Sequence, residues 1–148
     1  PDVLIVAVGA MATLALEAAG QLRAAGAKVV VVDPRWVKPV PAVIADLARG
    51  VRDVVVVEDG VRVGGVGSAV AQYLRDESVT ASVKVIGAPA QFLAHGTRAQ
   101  VLAAAGVTVD AVVAALPQFM RNQQLLLVAH GSRVLIARLH PRWRAWLA

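Results

Sequence analysis

Val54–Leu74 reads VVVVEDGVRVGGVGSAVAQYL. Four consecutive valines have the composition of a strand covered on both faces, where β-branched side chains pack well and polar alternation is absent. Glu58-Asp59-Gly60 then reads as the end of that strand, with Asp59-Gly60 as turn chemistry. Gly64, Gly65 and Gly67 follow, and an apolar periodicity predicts a helix from Gly67 or Ser68 to about Arg75. Strand, glycine loop and helix in that order make the repeating unit of an α/β sheet.

The same alternation extends in both directions. Val3–Val8 and Val29–Val32 read as strands, and so does Val83–Ile86. Between the first two, Leu14, Ala18, Leu22 and Ala25 recur at helical spacing, and Gly26 is placed to end that helix in a left-handed cap. Ala42–Arg49 predicts a short helix with Val43, Ile44 and Leu47 inward. Thr97 reads as the N-cap of a helix through Ala104 with Gly106 as its stop, and Thr108 as the cap of a last helix, Val109–Leu116. This β-α-β-α order predicts a parallel sheet with right-handed crossovers. An added antiparallel strand is expected at one edge, near Val61–Val63 or near the carboxy end.

Composition narrows the class. At 57% hydrophobic residues the chain invites a membrane reading, but its longest uncharged run, Val3–Leu16, has 14 residues and contains Gly9 and Thr13. A span needs about 20 apolar residues. No basic segment precedes the first apolar run, so no signal peptide is expected. The start at Pro1, directly ahead of a strand, is that of a piece cut from a longer chain. Cysteine is absent, which removes disulfides and thiolate metal sites, and a cytoplasmic protein is the default expectation. The net charge of +5 is localised: residues 1–120 carry ten basic and ten acidic side chains, whereas the remainder carries five arginines and no acid. The body therefore offers no electrostatic case for nucleic acid. The chain divides into a domain at 1–117 and a basic tail at 118–148. In the tail, Leu125–Val128 reads as an edge strand or an apolar patch, and Arg133–Leu147 as an amphipathic segment broken at Pro141.

Several groups are candidates for chemistry. Gly64, Gly65 and Gly67 precede a helix, where backbone N–H groups can hold a phosphate. The same glycines also serve a turn or a close backbone approach, and the cluster lacks both the P-loop Lys-Ser/Thr pair and the G-x-G-x-x-G spacing. Glu58 lies at the carboxyl end of a strand, where α/β sheets place their sites. It is a candidate base or ligand, or else the partner of Arg62 or Arg35. Asp33, Arg35 and Lys38 lie in the proline-flanked loop DPRWVKP, which suits docking onto another domain or anion contact. His95 precedes a helix and is a candidate proton shuttle or a structural hydrogen-bonding group. No nucleophile elbow, H-E-x-x-H or Ser–His–Asp order is present.

Four blocks resemble the carboxy-terminal domain of the deoxyxylulose phosphate synthases, in the transketolase family. They are AVGAMATLALEAA at Ala7–Ala19, VVDPRWVKP at Val31–Pro39, VEDGVRVGGVGSAVAQYL at Val57–Leu74 and APAQFLAHGTRAQVLAAAGV at Ala88–Val107. The resemblance spans residues 2–116. It implies a three-layer, Rossmann-like α/β domain with a mainly parallel five-stranded sheet and one antiparallel strand. It also implies a place in an enzyme that condenses pyruvate with glyceraldehyde 3-phosphate, releases carbon dioxide, and feeds isoprenoid, thiamine and pyridoxal synthesis. Thiamine diphosphate and Mg2+ belong to the two upstream domains of such an enzyme. The Gly-Asp-Gly…Asn cofactor motif has no counterpart here, so no catalytic, cofactor or metal residue is carried over. The implied partners are those upstream domains and, in the full-length enzyme, a second subunit. The rival expectation is a regulatory module binding an anion or phosphorylated metabolite through the loops Asp33–Lys38 and Glu58–Gly67.

Overall fold

The computed structural model describes residues 1–120. Four strands, β1 (Val3–Ala7), β2 (Val29–Val32), β3 (Asp53–Val61) and β4 (Ser82–Ala88), form one sheet in the order β2-β1-β3-β4. Every neighbouring pair is parallel. The helices are α1 (Ala12–Ala24), α2 (Ala42–Ala48), α3 (Val66–Asp76), α4 (Arg98–Ala104), α5 (Val109–Ala114) and α6 (Pro117–Met120). The α/β class and parallel sheet are as expected from the alternation of elements.

Because side chains alternate across a strand, each strand feeds two cores. Val3, Ile5, Val55 and Val57 face one layer, where Ala15, Ala18, Leu22, Val112 and Leu116 close over them from α1, α5 and the turn after α5. Leu4, Val6, Val54 and Val56 face the other, against Ile44, Ala45, Val70 and Leu74 of α2 and α3. Helices on both faces explain the unbroken valine runs. Helix ends follow local rules. Gly26 adopts φ +93° after α1, and the N–H of Ala27 reaches back to the Leu22 carbonyl. Thr97 and Gln100 form a reciprocal capping box at α4, and Thr108 Oγ1 accepts the Ala111 N–H at α5.

Three expectations are corrected. β3 does not end at Val57 in an Asp59-Gly60 turn; it runs on to Val61, which pairs in parallel with Ala88. Val57 pairs with Ile86, so Glu58, Asp59 and Gly60 together lie opposite Gly87 alone, a bulge rather than a turn. Val61 therefore belongs to a parallel strand and begins no antiparallel one. The described residues hold four strands where five were expected, and the alternative position near the carboxy end lies outside them. On α2, Val43 is not inward: it is 49% exposed, while Ile44, Ala45 and Ala48 are buried. The helix turns Ile44 and its alanines, not Val43, into the core that it shares with α3 and the sheet. The expectations for Leu125–Val128 and Arg133–Leu147 lie outside the described residues.

At the amino end of β3, Asp53 is buried and binds elements distant in sequence. It accepts from Arg52 Nε at 3.0 Å and from Gln118 Nε2 at 2.8 Å, with Lys84 Nζ at 3.9 Å. Lys84 also donates to the Ala115 carbonyl, and the Arg52 guanidinium lies over the Phe119 ring. These contacts fasten the end of α5 and the whole of α6 under the sheet.

The layer assignment makes a sharp prediction for adjacent residues on α2. Ile44→Ala should cost about 2–5 kcal/mol by opening a cavity between α2, α3 and the sheet. Val43→Ala should stay within about 0.5 kcal/mol. Urea denaturation of the two variants checks the order.

Candidate functional site

The bulge in β3 brings together most of the residues singled out around the glycine loop. The strand pleat directs Glu58 to the face that carries Val54 and Val56, the face against which α3 packs. Its side chain is only 2% exposed. Oε2 accepts the N–H of Val66 and Oε1 the N–H of Gly67, each at 2.9 Å. These are the first two residues of α3, whose leading N–H groups have no partner within the helix. The N-cap position is Gly65, which has no side chain to serve them. Glu58 therefore supplies the cap from the neighbouring strand, and its negative charge meets the positive end of the helix dipole.

The glycines follow from this contact. A Cβ on Gly65 would stand 2.2 Å from the Val61 carbonyl oxygen and 2.6 Å from Glu58 Oε2. On Gly67 it would meet Val85 Cγ1 at 2.3 Å and Glu58 Oε1 at 3.0 Å. On Gly87, across the bulge, it would press on Glu58 Cγ at 3.1 Å and the Gly60 carbonyl at 3.2 Å. Gly64 differs: it has open space around it but a φ of +75°, the left-handed region that suits glycine. Ser68 completes the loop by donating to the Arg62 carbonyl at 2.8 Å and accepting the Gly64 N–H at 3.2 Å.

The loop thus has the outline of a phosphate cradle, with a protein carboxylate in the place an external anion would take. Glu58 pairs with backbone amides and with neither Arg62 nor Arg35, the two cations considered for it. Asp59 is exposed toward α4 and accepts from Arg98 Nη2 at 2.6 Å, a surface ion pair of small energetic weight.

The remaining candidates lie elsewhere. Asp33, Arg35 and Lys38 occupy the loop after β2, which β1 separates from β3. Asp33 Oδ1 accepts the Arg35 N–H at 3.1 Å, and Arg35 itself has φ +35°. Trp36 between them is 80% exposed, so the indole is presented rather than packed. His95 is exposed in the loop before α4. Among the described residues, no three His, Cys, Asp or Glu side chains gather as a metal site, and no helix is long and apolar enough to cross a membrane. Ser68 was read only as a possible helix start and Gly87 was not singled out, yet both shape the loop. A glycine inside the apolar run SVKVIGA was the available signal for Gly87, since such a residue marks a bulge or a close approach.

Three substitutions test the cap. Gly65→Ala should cost about 3 kcal/mol or more because backbone must move, whereas Gly64→Ala should cost about 1–2 kcal/mol, the left-handed penalty alone. Glu58→Gln should lose about 1.5–3 kcal/mol by replacing a charged acceptor with an amide. Chemical denaturation measures all three. A loop kept open for an external anion would leave stability insensitive to Glu58.

Comparison with known proteins places this geometry. Residues 1–112 match the family described as transketolase, C-terminal domain. The chain is 55% identical over 92 residues to 1-deoxy-D-xylulose-5-phosphate synthase 2 of Streptomyces avermitilis, a match covering 62% of this chain and 14% of that protein. It is 52% identical over 91 residues to 1-deoxy-D-xylulose-5-phosphate synthase of Leifsonia xyli, with the same shares covered. The chain thus spans a small part of the length of these relatives. Among solved structures, it superposes with a TM-score of 0.71 and 36% identity on a chain described as a split gene transketolase, inactive beta4 tetramer, covering 81% of this chain and 39% of that one. With the family match extending from β1 into α5, the chain belongs to the transketolase C-terminal domain family.

Proposed function

We propose that this chain is the carboxy-terminal domain of a 1-deoxy-D-xylulose-5-phosphate synthase, and that its role there is structural. It buttresses the catalytic domains and contributes to subunit contact. The observation that carries this reading is the closed helix end: Glu58 takes the N–H groups of Val66 and Gly67 that a ligand phosphate would need. The relatives named as synthases share about half of their residues with this chain over the matched region and extend far beyond it.

In this reading pyruvate and glyceraldehyde 3-phosphate react on the upstream domains, in the cytoplasm, to give 1-deoxy-D-xylulose 5-phosphate and carbon dioxide for isoprenoid, thiamine and pyridoxal synthesis. The residues described here do not fit thiamine diphosphate, because the one glycine-rich helix start is filled by a carboxylate. No step of the reaction is therefore assigned to them. The functional unit is residues 1–117, and the enzyme is a homodimer. Asp33, Arg35, Lys38 and His95 serve as contact residues toward other domains. They sit on loops at the carboxyl end of the sheet, the end where α/β domains present their functional surface.

The chain alone should release no carbon dioxide from pyruvate with glyceraldehyde 3-phosphate, thiamine diphosphate and magnesium. Co-expression with the upstream region of the Streptomyces avermitilis relative should restore release. Turnover by the chain alone would overturn the reading. A saturable thermal shift with a phosphorylated metabolite, abolished in Arg35→Ala, would instead favour a regulatory anion-binding module.

A further inference from the structure

The corner of the sheet where β3 and β4 end carries apolar side chains that the domain does not use. Val63 is 71% exposed and Phe92 fully so. They lie in the segments that follow neighbouring strands, whose ends meet where Val61 pairs with Ala88 and the Arg62 N–H donates to the Ala88 carbonyl. Arg62 and Pro89, from the segments that follow the two strands, line a hollow of about 260 Å³ together with Ile86, Gly87 and Ala105.

The loop that carries Val63 is held on both sides. Ser68 grips Arg62 and Gly64, and Glu58 fixes the following helix start. Arg98 ties α4 to the bulge through Asp59. The Gln91 N–H donates to the Pro89 carbonyl in the loop that carries Phe92. Exposed apolar groups on a braced backbone lose little conformational freedom on association, which is the property of an interaction hot spot. A hollow beside two projecting side chains adds shape for a partner to fill.

We infer that Val63, Phe92 and the hollow that their segments help to line form the surface on which this domain docks to the upstream region of the same enzyme. The inference rests on the structural role proposed above. That occupant is favoured by length: this chain matches 14% of its synthase relatives, so most of such an enzyme lies outside it. Among the described residues that line the hollow, Arg62 alone is charged, and beside the apolar Val63 and Phe92 it fits a partner surface that is mostly apolar and carries one acidic or carbonyl acceptor.

The test is capture of the chain by the co-expressed, tagged upstream region of the Streptomyces avermitilis relative. Wild type is compared with Val63→Asp, Phe92→Asp and the control Val43→Asp on the exposed side of α2. Each site is open to solvent, so thermal melting should confirm that all four fold. The expected result is binding by wild type and V43D, and binding weaker by on the order of tenfold or more for V63D and F92D. If wild type binds and V63D and F92D bind equally well, this surface is wrong while the structural role stands. If wild type itself is not captured, the structural role falls and the docking surface with it.

Discussion

The hydrogen bonds from the start of α3 to Glu58 organise this domain more than any other single contact. A buried carboxylate is costly unless its oxygens are satisfied, and a helix beginning at a glycine cap leaves its first N–H groups without partners. Each defect answers the other. Meeting the requirement constrains much else: Gly87 must be bare beside the bulge and the Glu58 side chain, and Gly65 and Gly67 must be bare to let the helix approach. Where other α/β proteins hold a ligand phosphate at a helix start, this one holds its own carboxylate.

β3 carries a second buried acid at its other end. Asp53 and Glu58 are five residues apart, on opposite faces of the same strand, and each hydrogen-bonds a helix. Glu58 sets where α3 begins, and Asp53, through Gln118, sets where α6 lies. Both work through satisfied hydrogen bonds, and among the described residues no buried side-chain polar atom lacks a partner. Two polar anchors inside a core of valine, leucine and alanine give each helix one position where apolar packing tolerates several.

Much of the fold was legible because its signals are local. Apolar runs marked the strands, Thr97 and Thr108 marked helix starts, and Gly26 and Gly106 marked stops. What escaped was decided by pairs distant in sequence. Nothing within Glu58-Asp59-Gly60 distinguishes a turn from a bulge, since the difference lies in Gly87 across the ladder. Val43 faces solvent while Ala45 and Ala48 are buried beside Ile44, a rotation of α2 set by the elements it packs on rather than by its own apolar residues. The glycine cluster pointed to the right place, and the carboxylate that fills it was among the candidates. Their partnership spans eight and nine residues and a change of element, which no spacing rule captures.

The strand order carries a consequence for how the domain comes into being. β1 is the first strand of the chain and an inner strand of the sheet, flanked by β2 and by β3. Asp2 reinforces this, receiving the Lys28 N–H on its side chain and the N–H groups of Arg52 and Asp53 on its carbonyl. During synthesis β1 can recruit β2 early, but its other edge stays open until the valines of β3 have left the ribosome. Leu4 and Val6 wait longer still, for the α3 layer that follows β3 and covers them in the finished domain. A chain stalled or cut anywhere before β3 therefore leaves one edge of β1, a strand buried along its whole length in the finished domain, unpaired and open to aggregation.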